Sequence, residues 1–288
     1  MSLPEIVERM KGLRAVVLGD PMYDVYHFGH VDRLAPEAPV PVFVQEYESI
    51  RPGGAENVQA QLEELGLGTK ALWKQGNELM TAKHRYMVGT HQLLRVDQDH
   101  HRDPSYLLEE NSYTHLHGAN VFVISDYAKG MCTENICTWL LDGALVHGVP
   151  SVVDPKGTDW GKYEAATVLC PNQREYDAAQ AAGVGGHRKV LIKQGSAGST
   201  LIRYDVVNNL WVRDTFPAKA KHVYDVTGAG DTVTAVVAAA LAAGADLVSA
   251  ATLANMAAGY VVGEVGTTVC PLGILKALAQ ENHDAHRI

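Results

Sequence analysis

Short apolar runs that each end in a polar cluster constrain this chain more than any other feature. Val121 to Ile124 ends in Ser125-Asp126-Tyr127, and Ser151 to Val153 ends in Asp154-Pro155-Lys156. Val168 to Cys170 ends in Pro171-Asn172, and Val190 to Ile192 ends in Lys193-Gln194-Gly195. Helical segments lie between them, notably Glu134 to His147 and Arg174 to Ala182. Continuous apolar strands alternating with helices predict a parallel sheet covered on both faces. Ligands bind such sheets just beyond the strand ends, where these polar residues recur.

The N-terminal third is more mixed. Arg14 to Leu18 reads as a buried strand ending at Gly19-Asp20, while Val40 to Tyr47 alternates like a half-covered strand. Gly53-Gly54 precedes an amphipathic helix over Ala55 to Leu65, and Lys70 to Trp73 suggests another strand. Lys83 to Val88 and Gln92 to Val96 predict a hairpin turning near Gly89-Thr90. Without repeats or a low-complexity linker, the 288 residues read as one domain with a small β appendage.

Bulk properties exclude several classes. A net charge of −9 argues against general nucleic-acid binding, which needs a basic face. The N-terminus lacks a secretory apolar region, and Val233 to Ala245 is too short to span a bilayer, so a cytoplasmic protein is expected. The four cysteines show no Cys-x-x-Cys spacing and read as buried thiols in a reducing compartment. The paired histidines His100-His101, His115 with His117, and His283 with His286 lack the partners of a metal cage.

Residues 225–231, Asp-Val-Thr-Gly-Ala-Gly-Asp, lead into an Ala-rich helix over Thr232 to Ala243. Gly228, Ala229 and Gly230 let backbone amides approach an anion at the positive end of the helix dipole. Asp231 beside such a site suits phosphoryl transfer to a hydroxyl, accepting its proton. The plainer alternative is a turn capped by Asp225 or Thr227 before a buried helix.

The ordered motifs from residue 14 to about residue 272 resemble those of the ribokinase-like (PfkB-type) sugar kinases. They are most similar to the heptose-7-phosphate kinases of lipopolysaccharide-core biosynthesis. The matches are Gly19 to Asp24, Arg33 to Val42, Arg51 to Val58, Gln92 to Asp97, Ser125 to Gly130, Asp154 to Gly157, Pro171 to Glu175 and Asp225 to Asp231. The resemblance implies a three-layer α/β/α sandwich with a small β-sheet lid, formed by residues of about 28–47 and 83–97. It also implies an ATP- and Mg²⁺-dependent kinase, with Asp231 as base and the amides of 228–230 as anion hole. Asn172 and Glu175 would organise Mg²⁺, often through water in such kinases, although the two also suit a turn followed by a solvated helix N-terminus, where Glu is favoured. Asp20, Asp24, Gly53, Gly54 and Asn57 would meet the sugar. Lys83, Arg85 and Arg95, with Arg33 as a further candidate, would meet its 7-phosphate. Lys156, Asn172, Lys193, Gly195, Gly198, Thr227, Gly228, Gly230 and Asn255 would line the nucleotide groove. Related lids pair between subunits, so a homodimer is expected.

Two departures accompany the resemblance. Roughly one helix-plus-strand unit is missing after Glu78, which is expected to uncover part of the sheet. The resemblance also stops short of the adenylyltransferase domain that follows the kinase in bifunctional relatives. His27-Phe28-Gly29-His30 has the His-x-Gly-His form of nucleotidyltransferases, but lies within the kinase-like segment. The rival expectations are a binding relative without turnover and a kinase for a different sugar.

Overall fold

The computed structural model describes residues 1–73, 80–109, 116–184, 186–219, 226–264 and 268–285. Its framework is an eight-stranded sheet. Six strands run parallel: β1 (Arg14–Gly19), β4 (Gly68–Ala71), β7 (Val121–Ser125), β8 (Ser151–Asp154), β9 (Val168–Leu169) and β10 (Lys189–Lys193). The antiparallel hairpin of β11 (Ser199–Asp205) and β12 (Leu210–Phe216) extends it. The order is β12-β11-β10-β9-β8-β7-β1-β4. Every residue of β7 and β8 is buried, as the continuous apolar runs predict for strands covered on both faces.

Helices α2 (Ala55–Glu64), α6 (Ala229–Ala242) and α7 (Leu247–Val261) pack together on one face. Helices α4 (Glu134–His147) and α5 (Gln173–Ala181) cover the other, and α1 (Leu3–Arg9) packs with α8 (Leu272–Ala285). The short α3 spans Tyr106–Glu109. Residues Asp231 to Ala240 of α6 are all buried. Their small side chains let this central helix approach α2, α7 and strands β7 and β8 at once. α4 ends at Gly148 in a left-handed cap (φ 64), and α7 starts at Asp246, whose side chain accepts from the Ser249 amide. Among the described residues no helix is long and apolar enough to cross a membrane.

A second, four-stranded sheet has the order β3-β2-β5-β6. It contains β2 (Pro21–Leu34), β3 (Pro41–Gly54), β5 (Thr81–Val88) and β6 (His91–Gln98). It is larger than the expected lid segments of 28–47 and 83–97, because β2 leaves β1 through Asp20 alone. Gly53 and Gly54 therefore end a strand, paired with Met22 and Pro21, rather than forming a free turn. Asp24 lies opposite Lys83, Tyr26 opposite Arg85, and Arg85 opposite Arg95, so these side chains share one face. The other face exposes Ile50, Leu94 and Val96. In the larger sheet β4 is an edge strand. Residues 74–79, where the missing unit was expected, lie outside the described residues, as does Asp225.

Candidate active site

Gly228 takes a left-handed conformation (φ 79) and starts α6, which puts Asp231 in the first helical turn. That carboxylate is 5% exposed and both of its oxygens are held. Tyr127 donates its hydroxyl at 2.6 Å to one, and Asn57 donates its amide at 2.7 Å to the other. Burial pushes the Asp231 carboxyl up to about 6. The two donors and Lys193 oppose that rise, while the Asp154 charge adds to it. The amides of Gly230 and Asp231 lie in the first turn, where a helix offers no acceptor. The Ala229 amide is already bonded to the Val226 carbonyl at 3.3 Å. The expected three-amide anion hole is therefore reduced by one donor.

Strand ends β7, β8 and β10 supply the walls of a polar cleft of about 180 Å³ beside Asp231. Asp154 ends β8, and its carboxylate accepts from Lys193 at 2.5 Å and from the Thr234 hydroxyl at 3.1 Å. Burial pulls the Lys193 ammonium down, but the Asp154 carboxylate outweighs it and holds Lys193 charged. Asn172 and Glu175 form a reciprocal capping box at the start of α5. The Asn172 side-chain oxygen accepts from the Glu175 amide at 2.9 Å, and Glu175 accepts from the Asn172 amide at 3.0 Å. The second Glu175 oxygen accepts from Lys156 at 2.8 Å.

A second, mostly apolar pocket of about 280 Å³ opens beyond the cleft. Gly195, Gly198, Val226, Val233, Asn255 and Val262 are among its lining residues. Lys193, Asn172 and Gly230 border both cavities and so mark their junction. Gly198 is in a left-handed conformation (φ 91), where an added Cβ would overlap the Phe216 carbonyl. The Asn255 amide donates to the Pro217 carbonyl at 2.7 Å, fixing the far wall. Thr227 lies half-buried in the turn before α6.

The residues expected to meet the sugar are placed less simply. Asp20 is fully buried, and its oxygens accept from the backbone amides of Tyr127 (2.8 Å), Lys129 (3.1 Å) and Met131 (2.9 Å). It shapes the 127–131 loop instead of facing a ligand. Asn57, likewise buried, spends its amide on Asp231. Asp24 is ion-paired with Arg85. A Cβ at Gly53 would lie 2.7 Å from the Asp24 carboxylate, so glycine is what lets the carboxylate sit there. Gly54 (φ 55) faces the Asp20 carbonyl and Met22 equally closely. Arg95, at the exposed β6, grips Asp97 at 2.8 and 3.0 Å. Lys83 makes no ion pair among the described residues. Its ammonium touches the Met22 sulfur at 2.6 Å and lies 5.2 Å from the Tyr127 ring centroid. Burial lowers its pKa. Arg33 is exposed near the distal end of β2, away from these groups.

His27 and His30 are separate from each other and from the cleft. His27 bonds His84 at 2.9 Å and Gln45 at 3.0 Å, while His30 bonds Glu46 at 2.8 Å. Sequence reasoning assigned no role to Tyr127, Asp126, Asp154 or Thr234. Asp126 accepts from Lys162 at 2.7 Å, from the Ala128 amide at 2.7 Å and from Tyr163, and so anchors the same loop as Asp20. Tyr127 and Asp154 did carry a signal, since Tyr127 lies two residues past β7 and Asp154 closes β8.

Comparisons with known proteins bear on the family and the fold. The pfkB family carbohydrate kinase profile matches residues 82–272. The bifunctional protein HldE of Caulobacter vibrioides is 37% identical over 326 aligned positions, covering 96% of this chain and 66% of the relative. HldE of Paramagnetospirillum magneticum is 36% identical over 314 positions, covering 93% of this chain and 63% of the relative. The chain thus spans just under two thirds of these relatives' length. Both alignments are longer than the 288-residue chain, so each relative carries residues with no counterpart here. Among solved structures, Escherichia coli phosphofructokinase-2 in complex with substrates and products has a TM-score of 0.70 at 15% identity, covering 93% of this chain and 99% of that one. Arabidopsis thaliana ribokinase complexed with ribose and ATP has a TM-score of 0.64 at 16% identity, covering 94% and 99%. These likenesses establish the ribokinase-like three-layer fold, and the profile match with the HldE similarity establishes that the chain belongs to the pfkB family of carbohydrate kinases.

Proposed function

We propose that this protein transfers the γ-phosphoryl group of ATP to O1 of D-glycero-β-D-manno-heptose 7-phosphate, giving the 1,7-bisphosphate. The observation that carries the reading is a buried carboxylate, Asp231, at a helix N-terminus where a polar cleft meets an apolar pocket. The apolar pocket suits the nucleotide base, and the cleft suits its phosphates. Lys193 and the amide of Gly230 stand at the junction, where charge on the transferring group is stabilised. Asp231 accepts the proton of the sugar hydroxyl. With its carboxyl at about 6, it is in the basic form at neutral pH and loses that form as pH falls through 6.

Lys83 is the cation best placed for the 7-phosphate, because Arg85 and Arg95 already hold carboxylates. The choice of a heptose phosphate rests on the HldE similarity. The Asn172 side-chain oxygen and both Glu175 oxygens each accept one protein hydrogen bond, which leaves each a further lone pair. A hydrated Mg²⁺ touching them through its own waters is compatible with their hard donor character.

The second sheet serves as a lid that excludes water from the cleft. The protein acts in the cytoplasm as a homodimer paired through that sheet. Its exposed Ile50, Leu94 and Val96, on the face away from Asp24, support this assembly. A second reading, a sugar-phosphate-binding relative without turnover, is favoured by the residues that the relatives carry and this chain lacks. The test is a phosphorylation assay over a panel of sugar phosphates with Mg-ATP, wild type beside Asp231→Asn. Heptose 7-phosphate turnover that falls at least about a hundredfold in the variant supports the base. Equal turnover in both refutes it, and tight sugar-phosphate binding without turnover selects the second reading.

A further inference from the structure

The loop after β7 is locked more firmly than a connection needs to be. Asp20 binds the amides of Tyr127, Lys129 and Met131, and Asp126 binds the Ala128 amide, Lys162 and Tyr163. Ala128 is held in a left-handed conformation (φ 56), where a residue with a Cβ is strained. The consequence of this bracing is the direction of one side chain. Tyr127 lies with its hydroxyl 2.6 Å from Asp231 and its ring beneath the Lys83 ammonium of β5.

We infer that Tyr127 is a positioning residue for Asp231: its hydroxyl fixes one carboxylate oxygen while Asn57 fixes the other, leaving the remaining lone pairs directed at the cleft. The inference rests on the proposed role of Asp231 as the base. A carboxylate can rotate about its terminal bond, and two donors from separate elements remove that freedom. Asn57 comes from α2 and Tyr127 from the β7 loop, so the carboxylate is held from two separate elements. The charged groups that face Asp231 are Asp154 from β8 and Lys193 from β10, in addition to these two donors. Tyr127 itself faces Asp231, Asp154 and Asp24, and burial together with those charges raises its pKa, so it stays a donor.

The test is the titration of Asp231 itself. Carbon-13 carboxyl spectra of aspartate-labelled protein, with the Asp231 signal assigned by its loss in Asp231→Asn, give the midpoint without any ligand. Removing one charge-assisted donor in Tyr127→Phe is expected to raise that midpoint by about one pH unit. The acid limb of kcat/KM for heptose 7-phosphate moves by the same amount. A folded Tyr127→Phe protein with an unmoved Asp231 midpoint overturns the positioning role alone. Full turnover by Asp231→Asn overturns the base, and the positioning role with it. Should Tyr127→Phe not fold, site-specific 3-fluorotyrosine at 127 keeps the shape and donates more strongly. It is expected to lower the midpoint, and an unchanged midpoint overturns the inference.

Discussion

Replacing Asp231 with asparagine removes a buried charge while keeping the side chain's shape, so it should stabilise the fold at neutral and alkaline pH. The carboxyl sits at about 6 in the folded protein against an ordinary value of 3.8. A raised folded pKa means the folded state binds the proton more tightly than the unfolded one. The stability linked to that proton is complete below pH ~4 and is lost as pH rises through about 6. A separation of roughly two units at ~1.4 kcal/mol each gives about 3 kcal/mol at pH 8. The positive end of α6 favours the charged form and trims this by up to about 1 kcal/mol. Asparagine can keep both contacts, its oxygen accepting from Asn57 while its amide donates to the Tyr127 oxygen. The expected gain is therefore about 2–3 kcal/mol, or ~5 °C in Tm for a chain of this size. Thermal unfolding of wild type and Asp231→Asn at pH 8, 5 and 4 checks it. The gap should roughly halve at pH 5 and close near pH 4. A gap independent of pH, or a less stable variant at pH 8, refutes the claim that burial dominates the carboxyl's environment.

Other perturbations follow from the same contacts. Gly198→Ala forces a Cβ onto the Phe216 carbonyl at φ 91, so it should cost several kcal/mol by urea unfolding and weaken ATP binding. Lys193→Met strands the buried Asp154 charge and should cost about 3–5 kcal/mol, with Lys193→Met/Asp154→Asn recovering most of the stability but not the affinity for ATP. Asn172→Ala removes the α5 cap and should lower stability by about 1 kcal/mol. If its role ends at the cap, the Mg²⁺ dependence of turnover is unchanged, which a metal titration reads directly. Ile50→Lys with Leu94→Lys should convert a dimer to monomer by light scattering without altering Tm by more than about 2 °C.

Much of the framework was legible because its signals are local. An apolar run such as Val121 to Ile124 dictates a strand buried on both faces whatever surrounds it. Gly228 before an Ala-rich segment likewise marks a helix start, and Glu134 to His147 forms α4 as its sequence reads. The β11–β12 hairpin was not anticipated. Its outer strand is largely exposed and lacks a continuous apolar run. The second sheet runs beyond residues 28–47 and 83–97 because β2 and β3 continue past their alternating portions into residues that pair at Gly53 and Gly54. The site was legible as a set of chemical groups but not as a set of contacts. Asn57 and Asp231 are 174 positions apart, and Asp20 and Met131 are 111 apart. No sequence spacing reveals that these polar groups are spent on one another. Asn172 and Glu175 were closer to legible, since they stand three positions apart at one helix start, although the bonds they make to each other's backbone were not read from the sequence.

Asp20 sits at the corner where β1 of the large sheet passes into β2 of the small one, and its carboxylate ties down the loop that carries Tyr127. The step into the second sheet is equally confined on its other side. A Cβ at Gly19 would overlap the Ser125 carbonyl, and the Ala55 amide returns to the Asp20 carbonyl at 3.1 Å. The joint between the sheets is therefore a welded corner and not a hinge. Any tilt of the smaller sheet carries the 127–131 loop with it, so Lys83 of β5 and the Asp231 carboxylate bonded to Tyr127 are mechanically one piece.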